Sequence, residues 1–243
     1  MDELIIASRL VHYAALALLF GGSVFRLFIA PQHPQWRRPW PRGIYVVGVA
    51  AALLSAVGWF IGTAASMTGD WSEILKPDIV AAVLVDTRFG RLWTARLALL
   101  VALLALTLVW RRQTTAREGV MLVFSGVLTA SLAWVGHGSI GTGSLEPIHI
   151  TADVAHLLCA TTWLGGLAWL GWYLRDALKN CDQVASFEGV RTMLPRFARL
   201  GYVAVVTLLS TGCINAMILP TQPEALIGTD YGRILVLKLG LVA

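Results

Sequence analysis

The chain has 243 residues, of which 57% are hydrophobic and 14% charged, against roughly 25% charged in soluble domains. A water-soluble fold of this length cannot cover so much apolar surface, so the composition points to lipid as the solvent. The net charge of +5 does not point to nucleic acid, because the basic residues stand in short clusters between apolar runs.

A helix needs about 20 apolar residues to cross the hydrocarbon core. Six runs satisfy this: Leu4 to Ala30, Gly43 to Ser66, Leu92 to Trp110, Gly119 to Gly136, Ile150 to Leu174 and Phe197 to Leu219. A seventh begins near Tyr231 and is too short at Ala243 to span. The expected fold class is all-α, a polytopic transmembrane helix bundle with six full spans and a partial seventh, in a truncated form. Met1-Asp2-Glu3 precedes the first run in place of a basic segment, so no cleavable leader is expected. Cys159 and Cys213 lie in apolar runs and Cys181 in a charged loop, which implies no disulfide framework.

The Lys/Arg bias orients the bundle. Arg37, Arg38 and Arg42 follow span one, Arg111, Arg112 and Arg117 follow span three, and Arg175, Lys179, Arg191, Arg196 and Arg199 follow span five. The alternate loops are acidic or sparse, with Asp70, Glu73, Asp78, Asp86, Glu146, Asp153, Glu224 and Asp230. The N-terminus is therefore expected outside, in the periplasm of a bacterium.

An internal repeat emerges along the chain. His12 precedes Gly21-Gly22 by the same interval that separates His156 from Gly165-Gly166. Thr87-Arg-Phe89-Gly90-Arg91 leads to Arg96 as Thr229-Asp-Tyr231-Gly232-Arg233 leads to Lys238. A single membrane domain is expected, with repeat one at 1–145 and an incomplete repeat two at 146–243. Each unit holds four helices, so both copies share one orientation about an axis along the membrane normal. A complete form then has eight spans, and His12 and His156 sit at similar depth.

Four of the five histidines belong to the outer half. His12 lies about 12 Å into span one. His137 closes span four, and His149 opens span five with His156 seven residues on. His149, Asp153 and His156 fall on one helical stripe, since steps of four and three keep the same face. Met67 and Met217 lie near the outer ends of spans two and six. Imidazole suits several transition metals and thioether selects Cu(I), so this mixed set points to copper over a hard cation. The candidate ligands are His12, His137, His149, Asp153, His156, Met67 and Met217. Each has a plainer reading: interfacial histidines solvate, methionines pack, and Gly-Gly pairs let helices approach closely. His33 reads as solvated.

These motifs resemble the copper resistance protein D family of bacterial inner-membrane proteins. The carrying segments are His12-Tyr13 through Gly21-Gly22, Thr87 through Gly90, His137-Gly-Ser, His156 through Gly166, Arg196 through Arg199, Thr211-Gly212, Asn215 and Tyr231-Gly232-Arg233. The resemblance implies about eight spans, copper uptake or resistance at the inner membrane, and a periplasmic copper-binding protein as partner. A second reading is a b-type haem protein with His12 and His156 as axial ligands; without an inner histidine layer a two-haem relay is excluded. A third is a scaffold for assembling a copper protein. No enzyme is expected, since Gly138-Ser-Ile-Gly-Thr-Gly lacks the Lys-Ser/Thr of a phosphate-cradling loop and no nucleophile–base pair stands out.

Overall fold

The computed structural model describes residues 1–30, 42–112, 114–135, 145–179 and 184–218. Expectations that rest on His33, Arg37, Arg38, His137, Cys181, Lys238 and the run from Tyr231 lie outside the described residues. The described elements are all helical: α1 (Asp2–Val24), α2 (Arg42–Thr68), α3 (Pro77–Asp86), α4 (Arg88–Val109), α5 (Thr115–Ala130), α6 (Glu146–Lys179) and α7 (Val184–Ile218).

Six stretches are long and apolar enough to cross a membrane: Asp2–Ile29, Gly43–Thr68, Arg88–Val109, Thr115–Trp134, Glu146–Lys179 and Glu188–Ile218. The protein is an all-α polytopic bundle. Local signals place the helix ends. The Thr87 hydroxyl accepts the Gly90 N–H at 2.8 Å to start α4, and Thr114 accepts from the Arg117 N–H to start α5; such caps satisfy donors a helix leaves open. Pro77 occupies the first turn of α3, where a missing N–H is harmless. A wide turn at Phe25–Ile29 extends α1, closed by the Ala30 N–H on the Phe25 carbonyl at 2.8 Å.

Two features depart from the run-by-run expectation. α3 occupies part of the acidic stretch read as a loop. α6 and α7, at 34 and 35 residues, outrun the apolar stretches that announce them, because a helix does not have to end where the hydrocarbon does.

α1 is the packing centre, touching α2, α5 and α6, while α7 leans on α6. The α1–α6 crossing is set by glycine. A Cβ on Gly21 would lie 2.6 Å from the Thr161 carbonyl oxygen and 2.7 Å from Gly165 Cα; one on Gly165 would lie 1.9 Å from the Ala17 carbonyl oxygen and 3.0 Å from Gly21 Cα. Only glycine permits this approach, the small-residue contact on which membrane helices rely. Leu16, Leu19, Val49, Leu100, Leu103 and Leu128 fill the core around it.

The end of the bundle where α1 begins is called the N-terminal face; α4 and α6 also start there, and α2, α5 and α7 finish there. Arg88 and Glu146, at the starts of α4 and α6, are 4.0 Å apart on that face. In the connection after α2, the Ser72 backbone N–H and hydroxyl hold the Asp70 carboxyl below the usual carboxylate range. The opposite end carries a buried ionic cluster. Glu118 accepts from Arg117 at 3.0 Å, lies 3.5 Å from Arg26 Nε, and takes the Tyr45 hydroxyl at 3.4 Å. Arg117, counted above among the loop charges, is thus buried.

Candidate metal site

Buried imidazoles in a membrane bundle are costly unless their nitrogens are satisfied, so their partners separate structural from functional ones. His12, on the third turn of α1, is fully buried. Its Nε2 lies 2.6 Å from Arg96 Nη2 on α4. Guanidinium only donates, so Nε2 accepts and Nδ1 carries the proton. That proton meets the Ala52 carbonyl at 2.9 Å, with the Ser55 hydroxyl at 3.1 Å, both on α2. Arg96 in turn donates through Nη1 to the Leu128 carbonyl at 2.7 Å and to the Ser131 hydroxyl. Its guanidinium lies over the Trp93 ring, and no described carboxylate pairs with it. One polar network therefore ties α1, α2, α4 and the end of α5, and it uses both nitrogens of His12.

His149 sits one turn into α6 and is also fully buried. Among the described residues neither of its ring nitrogens has a hydrogen-bond partner. Its Nε2 is 3.7 Å from Asp153 Oδ2, one turn along the same helix: too far for a hydrogen bond. The other carboxylate oxygen, Asp153 Oδ1, accepts the Asn215 amide of α7 at 2.5 Å. Asn215 Oδ1 is buried and unpaired.

His156 lies two turns beyond His149 on α6. The Thr211 hydroxyl donates to the Thr207 carbonyl at 2.7 Å, so its lone pair accepts the His156 Nδ1–H at 3.0 Å. That bond orients the ring and leaves Nε2 as the basic nitrogen. His12 and His156 thus each turn Nδ1 toward a hydroxyl on the helix that follows in the bundle.

The geometry brings His149 and Asp153 together, and adds Asn215 from across the α6–α7 contact. It does not bring the methionines in. Met217 is 87% exposed and Met67 53%, and α2, which carries Met67, packs chiefly on α1 and α4, meeting α6 at the far end through Tyr45 and Trp169. Among the described residues no three His, Cys, Asp or Glu side chains gather to hold a metal; the side chain that reaches Asp153 from α7 is an amide. Arg96 is the residue that reading the runs left without a role. Its signal was there, an arginine well inside the apolar span three, where a charge demands a partner.

Comparison with known proteins follows this geometry. Residues 1–147 match the family model described as copper resistance protein D-like, N-terminal domain, and residues 191–243 match copper resistance protein D. Inner membrane protein YebZ of Escherichia coli (strain K12) is 29% identical over 98% of this chain and 79% of its own length. Copper resistance protein D of Pseudomonas syringae pv. tomato is 28% identical over 99% of this chain and 78% of its own. Copper transport protein CutJ of Bacillus subtilis (strain 168) is 29% identical over 97% of this chain, which spans 43% of that protein. No solved structure matches the chain.

Proposed function

The chain belongs to the copper resistance protein D family, and from that premise we propose that it takes up copper at the periplasmic face of a bacterial inner membrane. The reading rests on one observation: His149, fully buried beside Asp153, with neither ring nitrogen hydrogen bonded. A buried polar group without a partner asks for an explanation, and a bound ion is one. Copper is the substrate that the family and the imidazole supply together.

In this reading the N-terminal face is the periplasmic one, since Arg111, Arg112, Arg175 and Lys179 stand at the other end. A periplasmic copper-binding protein delivers the ion to His149 and Asp153. The ion then moves one step deeper to His156, whose Nε2 is the basic nitrogen. His12 is the matching position of repeat one, and the two repeats are related by an axis along the membrane normal. Supporting that relation, Gly21 meets the Thr161 carbonyl and Gly165 meets the Ala17 carbonyl, the exchange of partners that a twofold produces.

The haem reading has less to rest on. An axial bond from His12 would use the Nε2 lone pair that Arg96 engages at 2.6 Å. The scaffold reading needs no histidine at all, and it leaves the unpaired His149 without an explanation.

Cells lacking the native protein and supplied with His149→Ala or His156→Ala are expected to lose copper-dependent accumulation and tolerance behaviour, with the variant present at wild-type level in the membrane. Wild-type copper accumulation in both variants would overturn the proposal.

A further inference from the structure

We propose that the ion received at His149 is divalent copper, and that the Asn215 carbonyl oxygen is its third protein donor. The assignment rests on the reading of His149 and Asp153 as a copper seat, and concerns which copper that seat takes.

The donors follow from hydrogen-bond logic. A carboxylate only accepts, so the Asn215 group at 2.5 Å from Asp153 Oδ1 is its NH2, and its oxygen is the atom left over. That oxygen is buried without a partner, as are both nitrogens of His149. The second oxygen of Asp153 is 3.7 Å from His149 Nε2. Two donors that each stand roughly 2.0–2.2 Å from one ion are roughly 3–4 Å apart, so the separation that is too long for a hydrogen bond suits a shared ligand. The Asn215–Asp153 bond fixes the carboxylate so that Oδ2, not Oδ1, faces the imidazole. Asp153 is thereby oriented from α7 although it is carried by α6.

The donor chemistry then selects the ion. Imidazole, carboxylate and amide carbonyl are nitrogen and oxygen ligands, and such a set binds Cu2+ most tightly of the first-row divalent ions. Cu+ is selected by thiolate and thioether, and the soft side chains stand elsewhere. Met217 follows Asn215 by two residues, about 200° around the helix, and is exposed. Met67 belongs to a helix that packs on α1 and α4. Cys213 is exposed and stands two residues before Asn215, again about 200° around α7. Cys159 is ten residues past His149, about 15 Å along α6.

The test uses the full chain purified in detergent, titrated with Cu2+ in air and separately with Cu+ under anaerobic, reducing conditions, each against a competing chelator. One Cu2+ equivalent is expected, with the electron paramagnetic resonance spectrum of a tetragonal nitrogen–oxygen site. His149→Ala and Asp153→Ala should weaken it by about 100-fold or more, and Asn215→Leu by about 10-fold to 100-fold, the range for an orienting partner. Asn215→Asp keeps an oxygen donor but loses the NH2 that fixes Asp153, and its affinity should fall between that of Asn215→Leu and wild type. Cu+ affinity should not change across these variants. Cu2+ binding that is absent, or equal in all variants, overturns the assignment, as does a Cu+ affinity that falls with them. Far-ultraviolet circular dichroism on each variant separates loss of a ligand from loss of the fold. Normal copper accumulation in cells carrying His149→Ala, with Cu2+ bound as expected by the pure protein, would sink the uptake reading and leave this assignment standing; lost accumulation together with Cu+ selectivity would do the reverse.

Discussion

His12 and His149 are equally buried and lie toward the same face of the bundle, yet their nitrogens are treated in opposite ways. His12 has both engaged, by Arg96 on one side and by Ala52 and Ser55 on the other. His149 has neither hydrogen bonded and faces Asp153 across 3.7 Å. Burial alone therefore does not mark a functional histidine in a membrane bundle. The satisfied ring is a cross-brace between helices, and the unsatisfied one is the ring that the proposed copper uptake uses. The two halves also differ in charge near these rings: Arg9 precedes His12 by three residues where Asp153 precedes His156 by three. With Arg96 added, the first half presents cations around its imidazole, and the second presents a carboxylate. A copper ion approaching Arg96 at 4 Å would meet a repulsion of about 4 kcal/mol per unit charge at an effective dielectric of 20, so the α6–α7 side is the one that suits a cation.

The largest effect belongs to the contact that holds the two regions together. Gly165→Leu or Gly21→Leu places side-chain atoms where backbone stands at 1.9–3.0 Å, and backbone cannot yield as a flexible side chain can. Either change is expected to abolish folded protein, read as loss of a monodisperse peak in detergent. A well-folded Gly165→Leu variant would mean that α1 and α6 are not held at this crossing.

The contrast between His12 and His149 also shows in stability. His12→Ala leaves an Arg96 N–H without its partner in the core, while the Ala52 carbonyl keeps the Ser55 hydroxyl. The expected cost is about 2–3 kcal/mol, seen as a lower unfolding midpoint in a denaturant series. His149→Ala removes a ring that makes no hydrogen bond, so beyond the cavity it leaves it orphans no partner and should cost less than His12→Ala even as copper binding is lost. If His149→Ala destabilises as much as His12→Ala does, the division into brace and seat is wrong.

What was legible in the residues follows the same division. Apolar runs announce spans because every backbone group in lipid must be bonded within its own helix, and all six runs coincide with helices. α3 escaped because its ten residues, with Asp78 and Asp86 among them, make no span-length apolar run. His149 and Asp153 share a stripe because i and i+4 always do, so their proximity is local information. The pairings that decide chemistry are not local. Arg96 reaches His12 from 84 residues away and Asn215 reaches Asp153 from 62, and periodicity says which face a residue takes without saying which helix lies opposite. Arg117 joins Arg111 and Arg112 in sequence but is buried, paired with its neighbour Glu118 and set over the Tyr45 ring from α2.

The smallest effect is expected at the methionines. Met67 and Met217 entered as soft donors because each lies near the N-terminal face, and on that ground a Cu+ path would need them. Their exposure, 53% and 87%, and the faces they occupy turn them away from His149. A methionine on the outside of a membrane helix is a lipid-facing hydrophobe that leucine replaces at similar volume, for less than about 1.5 kcal/mol even in a packed core. Met67→Leu and Met217→Leu, singly and together, should leave Cu2+ affinity, copper accumulation and the unfolding midpoint unchanged. A drop in copper accumulation in the double variant, with Cu2+ affinity at His149 intact, would put a second, thioether-based station on the route and divide the handling of copper between the two faces of α7.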